Sequence, residues 1–177
     1  QAITRHTLKP RVKRVEFDAE DLYECAGSPT KTGATGGGVS PSWQMNDAAR
    51  RSVSADLMVP FDWRPGTDIK FYLEYAPTAV GGIGNVALGI DYVLYEDVIT
   101  QSLGLNPART IRLTTDRPPF GVVMKRTDNP VAIPGLDLVG KRQIQIAFSR
   151  FADIAALDTD NRNIYLFKVF MEYDSYE

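Results

Sequence analysis

A glycine-rich stretch is the first candidate for a binding site. Residues 82–87 read Gly-Ile-Gly-Asn-Val-Ala and match the spacing of the dinucleotide-binding fingerprint. In that fingerprint the glycines open a helix whose N-terminus holds the pyrophosphate. The residues that follow, 86–95, place a large apolar or aromatic side chain at every second position, as a strand does. We therefore predict a hairpin loop at this position and no dinucleotide site.

A second candidate is the aspartate-rich stretch at residues 158–163, Asp-Thr-Asp-Asn-Arg-Asn. A calcium loop presents oxygen ligands at alternate positions, and Asp158 and Asp160 fit that spacing. Arg162 occupies the third such position, no glycine follows, and the closing glutamate is absent. We expect a solvated loop, with weak calcium binding as the alternative.

Nucleophilic and metal-binding side chains are scarce. His6 is the only histidine and Cys25 the only cysteine, which excludes zinc clusters, multi-histidine metal sites and histidine-based triads away from the N-terminus. Cys25 cannot form an internal disulfide, and we expect it to be a buried, inert thiol. The 22 acidic residues leave a catalytic carboxylate pair open, but no spacing singles one out. We predict a protein that is not an enzyme and that uses no metal or cofactor.

The N-terminus is basic. Residues 1–14 contain no acidic residue and five basic ones: Arg5, Lys9, Arg11, Lys13 and Arg14. Such a segment is either a solvated extension or edge strand, or an arm that reaches an acidic surface of a neighbouring subunit. The formal net charge of −2 opposes general attraction to nucleic acid or to a membrane. We predict that the five basic residues make contacts between subunits and that nucleic acid is not a partner.

Two aromatic residues are candidates for stacking on a ligand. Trp63 lies in the turn Phe-Asp-Trp-Arg-Pro-Gly-Thr at residues 61–67, and Tyr72 lies in the strand predicted after it. Both rings could stack on the face of a sugar, because each combines an apolar ring with a polar group. The alternative for Trp63 is that it covers the edge of the core.

Alternation with a period of two dominates the chain and predicts the strands that must position these residues. It is clearest in residues 52–60, 68–75, 86–95, 109–115, 141–150 and 164–173. Glycine and proline separate these segments, as in the long loop at 27–42, after which Trp43 is expected to anchor the chain to the core. With about eight strands and no long helix, the sequence predicts an all-β fold, an antiparallel, jelly-roll-like β-sandwich.

The length and composition fit one domain with one core. The chain has 177 residues, of which 44% are apolar and 24% charged. We divide it into an N-terminal basic arm with a glycine-rich loop, residues 1–51, and a β-sandwich, residues 52–177. No apolar run approaches the roughly 20 residues of a membrane helix, and no signal-peptide pattern opens the chain. We expect a soluble protein that does not contact a membrane.

Several motifs of the central strands recur together. Residues 57–69, Leu-Met-Val-Pro-Phe-Asp-Trp-Arg-Pro-Gly-Thr-Asp-Ile, form a strand that ends in proline and an aspartate–tryptophan turn. Tyr-Ala-Pro, a glycine-rich loop and Asn-Val-Ala-Leu follow within residues 75–88. The pattern resembles virion structural proteins of tailed bacteriophages, and residues 148–150 and 169–173 are similar to that family's closing hairpin. The resemblance covers residues 52–95 and 141–173.

The resemblance implies a jelly-roll protein of the virion, assembled in the host cytoplasm, that acts by assembly. It indicates a capsid decoration or cement protein that stabilises the head lattice, with the major capsid protein or another virion protein as its partner. It also implies a homo-oligomer, a trimer in preference to a dimer. Two other interpretations stay open: a tail or head-fibre module that binds glycans, and a small single-jelly-roll coat protein.

Overall fold

The computed structural model describes residues 10–32, 41–96 and 109–176. In these ranges the chain forms twelve strands and one helical turn, in the order β1 (Pro10–Asp18), β2 (Tyr23–Ala26), β3 (Thr30–Thr32), β4 (Ser42–Met45), β5 (Arg51–Met58), β6 (Ile69–Pro77), β7 (Val86–Tyr95), β8 (Thr110–Asp116), β9 (Lys125–Arg126), β10 (Val131–Ile133), α1 (Gly135–Leu138), β11 (Gln143–Arg150) and β12 (Ile164–Tyr176). No helix within them has the length and apolar character that crossing a membrane requires.

The strands form two antiparallel sheets that pack face to face. The seven-stranded sheet has the order β10-β6-β12-β4-β3, with β1 also paired to β12 and β9 to β6. The five-stranded sheet has the order β2-β5-β11-β7-β8. Every pairing within them is antiparallel. The predicted all-β, antiparallel, jelly-roll-like sandwich is confirmed.

The core lies between the sheets and contains the residues that the alternation placed on one face. β6 and β11 contribute Ile69, Phe71, Leu73, Tyr75, Ile144, Ile146 and Phe148. The rings of Phe71 and Phe148 meet across the sandwich, with centroids 5.5 Å apart. Since full burial of a large apolar side chain contributes about 1.5–3 kcal/mol, this interlayer contact is a main source of stability.

The described part of the N-terminal region belongs to the sandwich. β1 pairs with β12 along its whole length, and β2 pairs with β5 in the other sheet. Trp43 in β4 is buried, and its indole N–H donates to the Ala19 carbonyl at 2.8 Å, so the predicted anchor is confirmed. The boundary drawn at residue 51 therefore lies inside the sandwich, because residues 10–32 supply strands to both sheets.

The expectation of a buried Cys25 is wrong. This residue lies in β2, a short strand whose residues are all exposed, and its thiol is exposed. Within the described residues β2 pairs with β5 alone, at the edge of the sheet. An edge strand has a neighbour on one side only, which leaves this side chain in solvent.

A charged residue occupies the last inward position of β11. Arg150 follows the alternating core residues of this strand, and 0% of its side chain is exposed. Its guanidinium binds Asp158 in a bidentate pair, with Nε–Oδ2 2.8 Å and Nη2–Oδ1 2.7 Å. It also donates to the main-chain oxygens of Arg162 at 2.5 Å and Asp160 at 2.6 Å. Asp158 in turn accepts the Ala87 N–H at 3.1 Å, so the loop after β11 is tied to β7.

Replacing Arg150 with methionine would leave the Asp158 carboxylate buried without its cation. We expect the free energy of unfolding to fall by about 3–5 kcal/mol. Arg142→Met is the matched control, because Arg142 is exposed, and it should change the value by less than about 0.5 kcal/mol. Urea unfolding followed by tryptophan fluorescence measures both. An equally small loss in the two variants would contradict a structural role for the buried pair.

Candidate functional site

The basic residues expected between subunits fall into two groups. Arg5 and Lys9 lie outside the described residues. Arg11, Lys13 and Arg14 lie in β1, where alternate side chains point to opposite faces of the sheet. β1 is therefore a strand of the seven-stranded sheet, and these residues are held by its register with β12.

Lys13 and Arg14 form contacts within the chain that join β1 to its surroundings. Lys13 Nζ lies 2.7 Å from Asp62 Oδ2, and the Tyr173 hydroxyl donates to the other oxygen of Asp62 at 3.1 Å. The hydrogen bond from Lys13 is the main reason why the pKa of Asp62 is lowered. On the outer face, Arg14 Nε donates to Glu172 at 2.8 Å. Both contacts join β1 to neighbouring parts of the same chain.

The structure does not bring the two aromatic candidates together. Trp63 belongs to the core, with 9% exposure, and its indole N–H donates to the Thr67 carbonyl at 3.0 Å. The interpretation that Trp63 covers the edge of the core describes its position, and its buried ring is not available for stacking on a ligand. Tyr72 is half-buried on the outer face of the seven-stranded sheet, opposite Phe170 in register. The two rings cannot stack on one ligand.

A groove of about 430 Å³ lies on the five-stranded sheet. Its floor includes Ser54, Ala147 and Asp91, which are register partners on β5, β11 and β7 and alternate with core residues. Small side chains on adjacent strands leave a depression between larger neighbours. The rim includes Tyr23, which is 44% exposed, and Gln145. We call this the sheet-face groove.

The sheet-face groove has a fixed set of polar groups. Asp91 is buried at the floor of the groove and forms ion pairs with Arg109 and Arg50. Arg50 Nη2 lies 2.9 Å from Asp91 Oδ2. The hydrogen bond with Asp91 raises the pKa of Arg109 above its ordinary value. At the rim, the Tyr95 hydroxyl donates to Gln145 Oε1 at 3.2 Å. Such an array can exchange hydrogen bonds with a neutral, polyhydroxylated ligand, beside a ring on which it can stack.

A second surface lies at the end of the sandwich where β6 passes to β7. The loop at 78–85 and the loop at 117–124 present six exposed apolar side chains, which we call the end surface: Val80, Ile83, Phe120, Val122, Val123 and Met124. Phe120 is 68% exposed and Ile83 87%. Single exposed apolar residues are ordinary, but six on two adjoining loops form a surface suited to protein contact.

Arg162 holds the two loops of the end surface together. Its Nη1 donates to the carbonyls of Ala79, Pro119 and Phe120 at 3.2, 3.0 and 3.2 Å. The Gly81 N–H adds a direct bond to the Phe120 carbonyl at 2.8 Å. A Cβ on Gly82 would overlap the guanidinium, and its φ of 81° also favours glycine. Gly82 therefore serves close packing against an arginine, and the loop runs into β7, a strand. The predicted hairpin is wrong, because β6 lies in the seven-stranded sheet and β7 in the five-stranded one, so the loop crosses between the sheets.

The aspartates that resembled a calcium loop bind arginines. Asp158 pairs with Arg150, and Asp160 pairs with Arg162 through Nε–Oδ1 at 2.9 Å and Nη2–Oδ2 at 2.7 Å. Burial raises the pKa of Asp160, but the hydrogen bonds from Arg162 outweigh it and leave that pKa lowered. In the described ranges no group of three or more His, Cys, Asp or Glu side chains could hold a metal ion.

The apolar residues of the end surface were visible in the sequence, but their period of two predicted a strand. Phe120, Val122 and Met124 alternate with other residues as in a strand. The structure places them in a loop with bends, because they follow two prolines and no strand pairs with them. The sheet-face groove had no comparable signal, since its residues come from strands that are distant in sequence.

Comparisons with known proteins find similar folds at low identity. Neither the family models nor the curated proteins contain a match. Among solved structures, the chain is similar to the CBM22-2 xylan-binding domain of Paenibacillus barcinonensis Xyn10C, with 10% identity and a TM-score of 0.48, over 92% of this chain and 99% of that one. It is also similar to TmCBM27, a carbohydrate-binding module described for mannan recognition, with 14% identity and a TM-score of 0.41, over 92% of this chain and 98% of that one.

A viral structure is similar at the same level. The match is to infectious bursal disease virus, Gx strain, with 13% identity and a TM-score of 0.42. It covers 95% of this chain but only 32% of the viral chain. This chain therefore spans about a third of that viral chain, and similarity of this degree does not identify a function.

The Lys13–Asp62 pair should make stability depend on acidity. The pKa of Asp62 is lower in the folded state than in the unfolded chain, so ionised Asp62 stabilises the fold at pH values above its unfolded pKa. This stabilisation is lost as the pH falls through the lowered pKa of the folded state. We expect Lys13→Met to destabilise the fold most above about pH 5, with the difference from the natural chain shrinking toward about pH 2. Urea midpoints across this range measure it. Lys70→Met, at an exposed position of β6, is the control. A difference independent of pH would contradict the assignment.

Proposed function

We propose that this chain is a structural protein of a virus particle, a decoration or cement protein that binds the head lattice and acts by assembly. The major capsid protein is its proposed partner and the virion its proposed location. The observation that carries the proposal is the end surface, which exposes six apolar side chains on two loops. Several exposed apolar side chains on adjoining loops are typical of a site where another protein docks.

The geometry of the end surface favours docking without rearrangement. The carbonyls of Pro119 and Phe120 are bound by Arg162, and Arg162 is bound by the buried Asp160. Loops that are already ordered lose little conformational entropy when a partner binds, which improves affinity. A protein that strengthens a lattice needs contacts of this pre-formed kind.

The basic residues keep a proposed role between subunits of a homo-oligomer, with a trimer preferred to a dimer. Lys13 and Arg14 already form ion pairs with Asp62 and Glu172, so a subunit contact there would share or replace an existing pair. Arg5 and Lys9 lie outside the described residues, and their role between subunits stays part of the proposal.

Phe120→Asp is the direct test of attachment. A carboxylate at the centre of an apolar contact loses its hydration, and we expect the amount of chain bound per particle to fall at least about tenfold. Particles of the virus that encodes the chain, prepared without it, are mixed with purified chain and sedimented. The bound chain is then quantified against the major capsid protein.

Leu136→Asp is the matched control for this experiment. Leu136 is 83% exposed in α1, at the opposite end of the sandwich. Its substitution should leave binding unchanged. Both variants should keep the natural melting temperature, because neither side chain is in the core. Equal occupancy of all three proteins on particles would rule out the end surface as the attachment site.

The sheet-face groove supports a second candidate function, glycan binding by a tail or head-fibre module. It is a concave site with an exposed tyrosine at its rim and a fixed network of carboxylate, guanidinium and amide groups. Polyhydroxylated ligands need both features, ring stacking and multiple hydrogen bonds. Of the two aromatic candidates in the sequence, neither lines this groove.

Tyr23→Ala tests the glycan hypothesis and locates the site. In a titration against a panel of soluble polysaccharides, loss of ring stacking should weaken binding by about tenfold. Tyr72→Ala, on the opposite sheet, should leave binding unchanged. Binding that depends on Tyr72 and not on Tyr23 would move the site to the other sheet, and no binding across the panel would refute this candidate.

A further inference from the structure

A pocket of about 390 Å³ lies on the outer face of the seven-stranded sheet, at the end of β1. We call it the acidic pocket, and it is lined by Asp18, Ala19, Glu20, Pro41, Glu74, Met124, Phe167 and Lys168. Phe167 stands at an irregularity in the pairing of β12 with β6, where the register shifts between Leu166 and Lys168. The pocket adjoins the end surface, with which it shares Met124.

The floor of the acidic pocket is apolar. Phe167 and Ala19 are almost fully buried, and Ala19 is fixed because its carbonyl accepts the Trp43 indole N–H. Met124 and Pro41 extend the apolar lining. A slot of this kind accommodates a hydrocarbon chain better than a hydrated ion.

The rim of the acidic pocket carries three carboxylates against one ammonium group. The ammonium, Lys168, is already bound to Asp18 at 3.1 Å and to Glu16 at 3.5 Å. Glu20 and Glu74 make no ion pair with any residue of the described ranges. An apolar floor beneath two carboxylates that form no such ion pair fits the side chain of lysine or arginine, whose stem is apolar and whose end is cationic.

We propose that the acidic pocket binds the basic segment before β1, residues 1–9, of a second copy of this chain. Arg5 and Lys9 in that segment supply cations, and no acidic residue accompanies them. The opposite charges of the segment and the pocket select this segment as the binding partner and orient it in the pocket. The inference concerns association between copies and holds whether or not the end surface binds a virus particle.

Chain length favours a second copy over the same one. β1 begins at Pro10 and the pocket lies beyond its other end, at Asp18, which is about 26 Å away along a strand. Five residues span at most about 18 Å, so the backbone at Arg5 of the same chain falls short of the pocket even when fully extended. In a neighbouring copy the same segment has no such restriction. A contact from one copy to the next is head-to-tail and can close into a ring, as a trimer requires.

Charge reversal on each side of the contact tests the proposal on the full chain. The pocket variant carries Glu20→Lys and Glu74→Lys, and the segment variant carries Arg5→Glu and Lys9→Glu. Light scattering coupled to gel filtration, at several concentrations and at low salt, should give the mass of an oligomer for the natural chain and 19.6 kDa for each variant. The dissociation constant should rise at least about tenfold in each variant.

Two combinations distinguish this contact from a general effect of charge. A chain with all four substitutions should associate again, because the opposite charges are exchanged, and a mixture of the two variants should form complexes that contain both. Glu24→Lys with Asp56→Lys, exposed on the other sheet, is the control and should keep the natural mass. A monomeric natural chain at all concentrations, or a pocket variant that keeps the natural mass, would overturn the proposal.

Discussion

The buried pair between Arg150 and Asp158 is the constraint on which the loops at one end of the sandwich depend. Taking both charges out of water is costly, and the cost is offset only because nearly every donor and acceptor finds a partner. The same guanidinium holds the Asp160 carbonyl, and the Asp160 side chain holds Arg162, which gathers the carbonyls of two further loops. The shape of the end surface is therefore determined in the interior, through a relay of two arginines.

The sandwich presents three surfaces that differ in composition, because its two sheets and its end loops expose different side chains. The facing sides of the two sheets form the core, which leaves each outer side available. The five-stranded sheet carries a groove with small residues on its floor, the seven-stranded sheet carries an apolar pocket with an acidic rim, and the loops carry an apolar end. A rigid scaffold with several differently charged contact surfaces suits a protein whose work is to join other molecules.

The strands were predictable because their alternation is local, whereas most site features depend on contacts between distant residues. Ile144, Ile146 and Phe148 set a pattern that Arg150 continues, and nothing in the sequence distinguishes this buried arginine from an exposed one. Asp158 and Asp160 suggested calcium as one possibility, because the residue type does not distinguish a carboxylate that binds a guanidinium from one that binds a metal ion. Cys25 was misplaced for a related reason: burial depends on which strands lie at the edge of a sheet, and the sequence does not show that β2 is one of them.

The pairing of β1 with β12 has a consequence for how the chain folds. Pro10 meets Tyr176, so the seven-stranded sheet is completed by residues from opposite ends of the sequence. Closing so long a loop costs entropy before the contact returns any energy, and folds dominated by such pairings form in milliseconds to seconds. Until the two strands pair, β12 offers an unpaired edge to other chains. The yield of native protein then depends on whether β1 pairs with β12 faster than the chains aggregate.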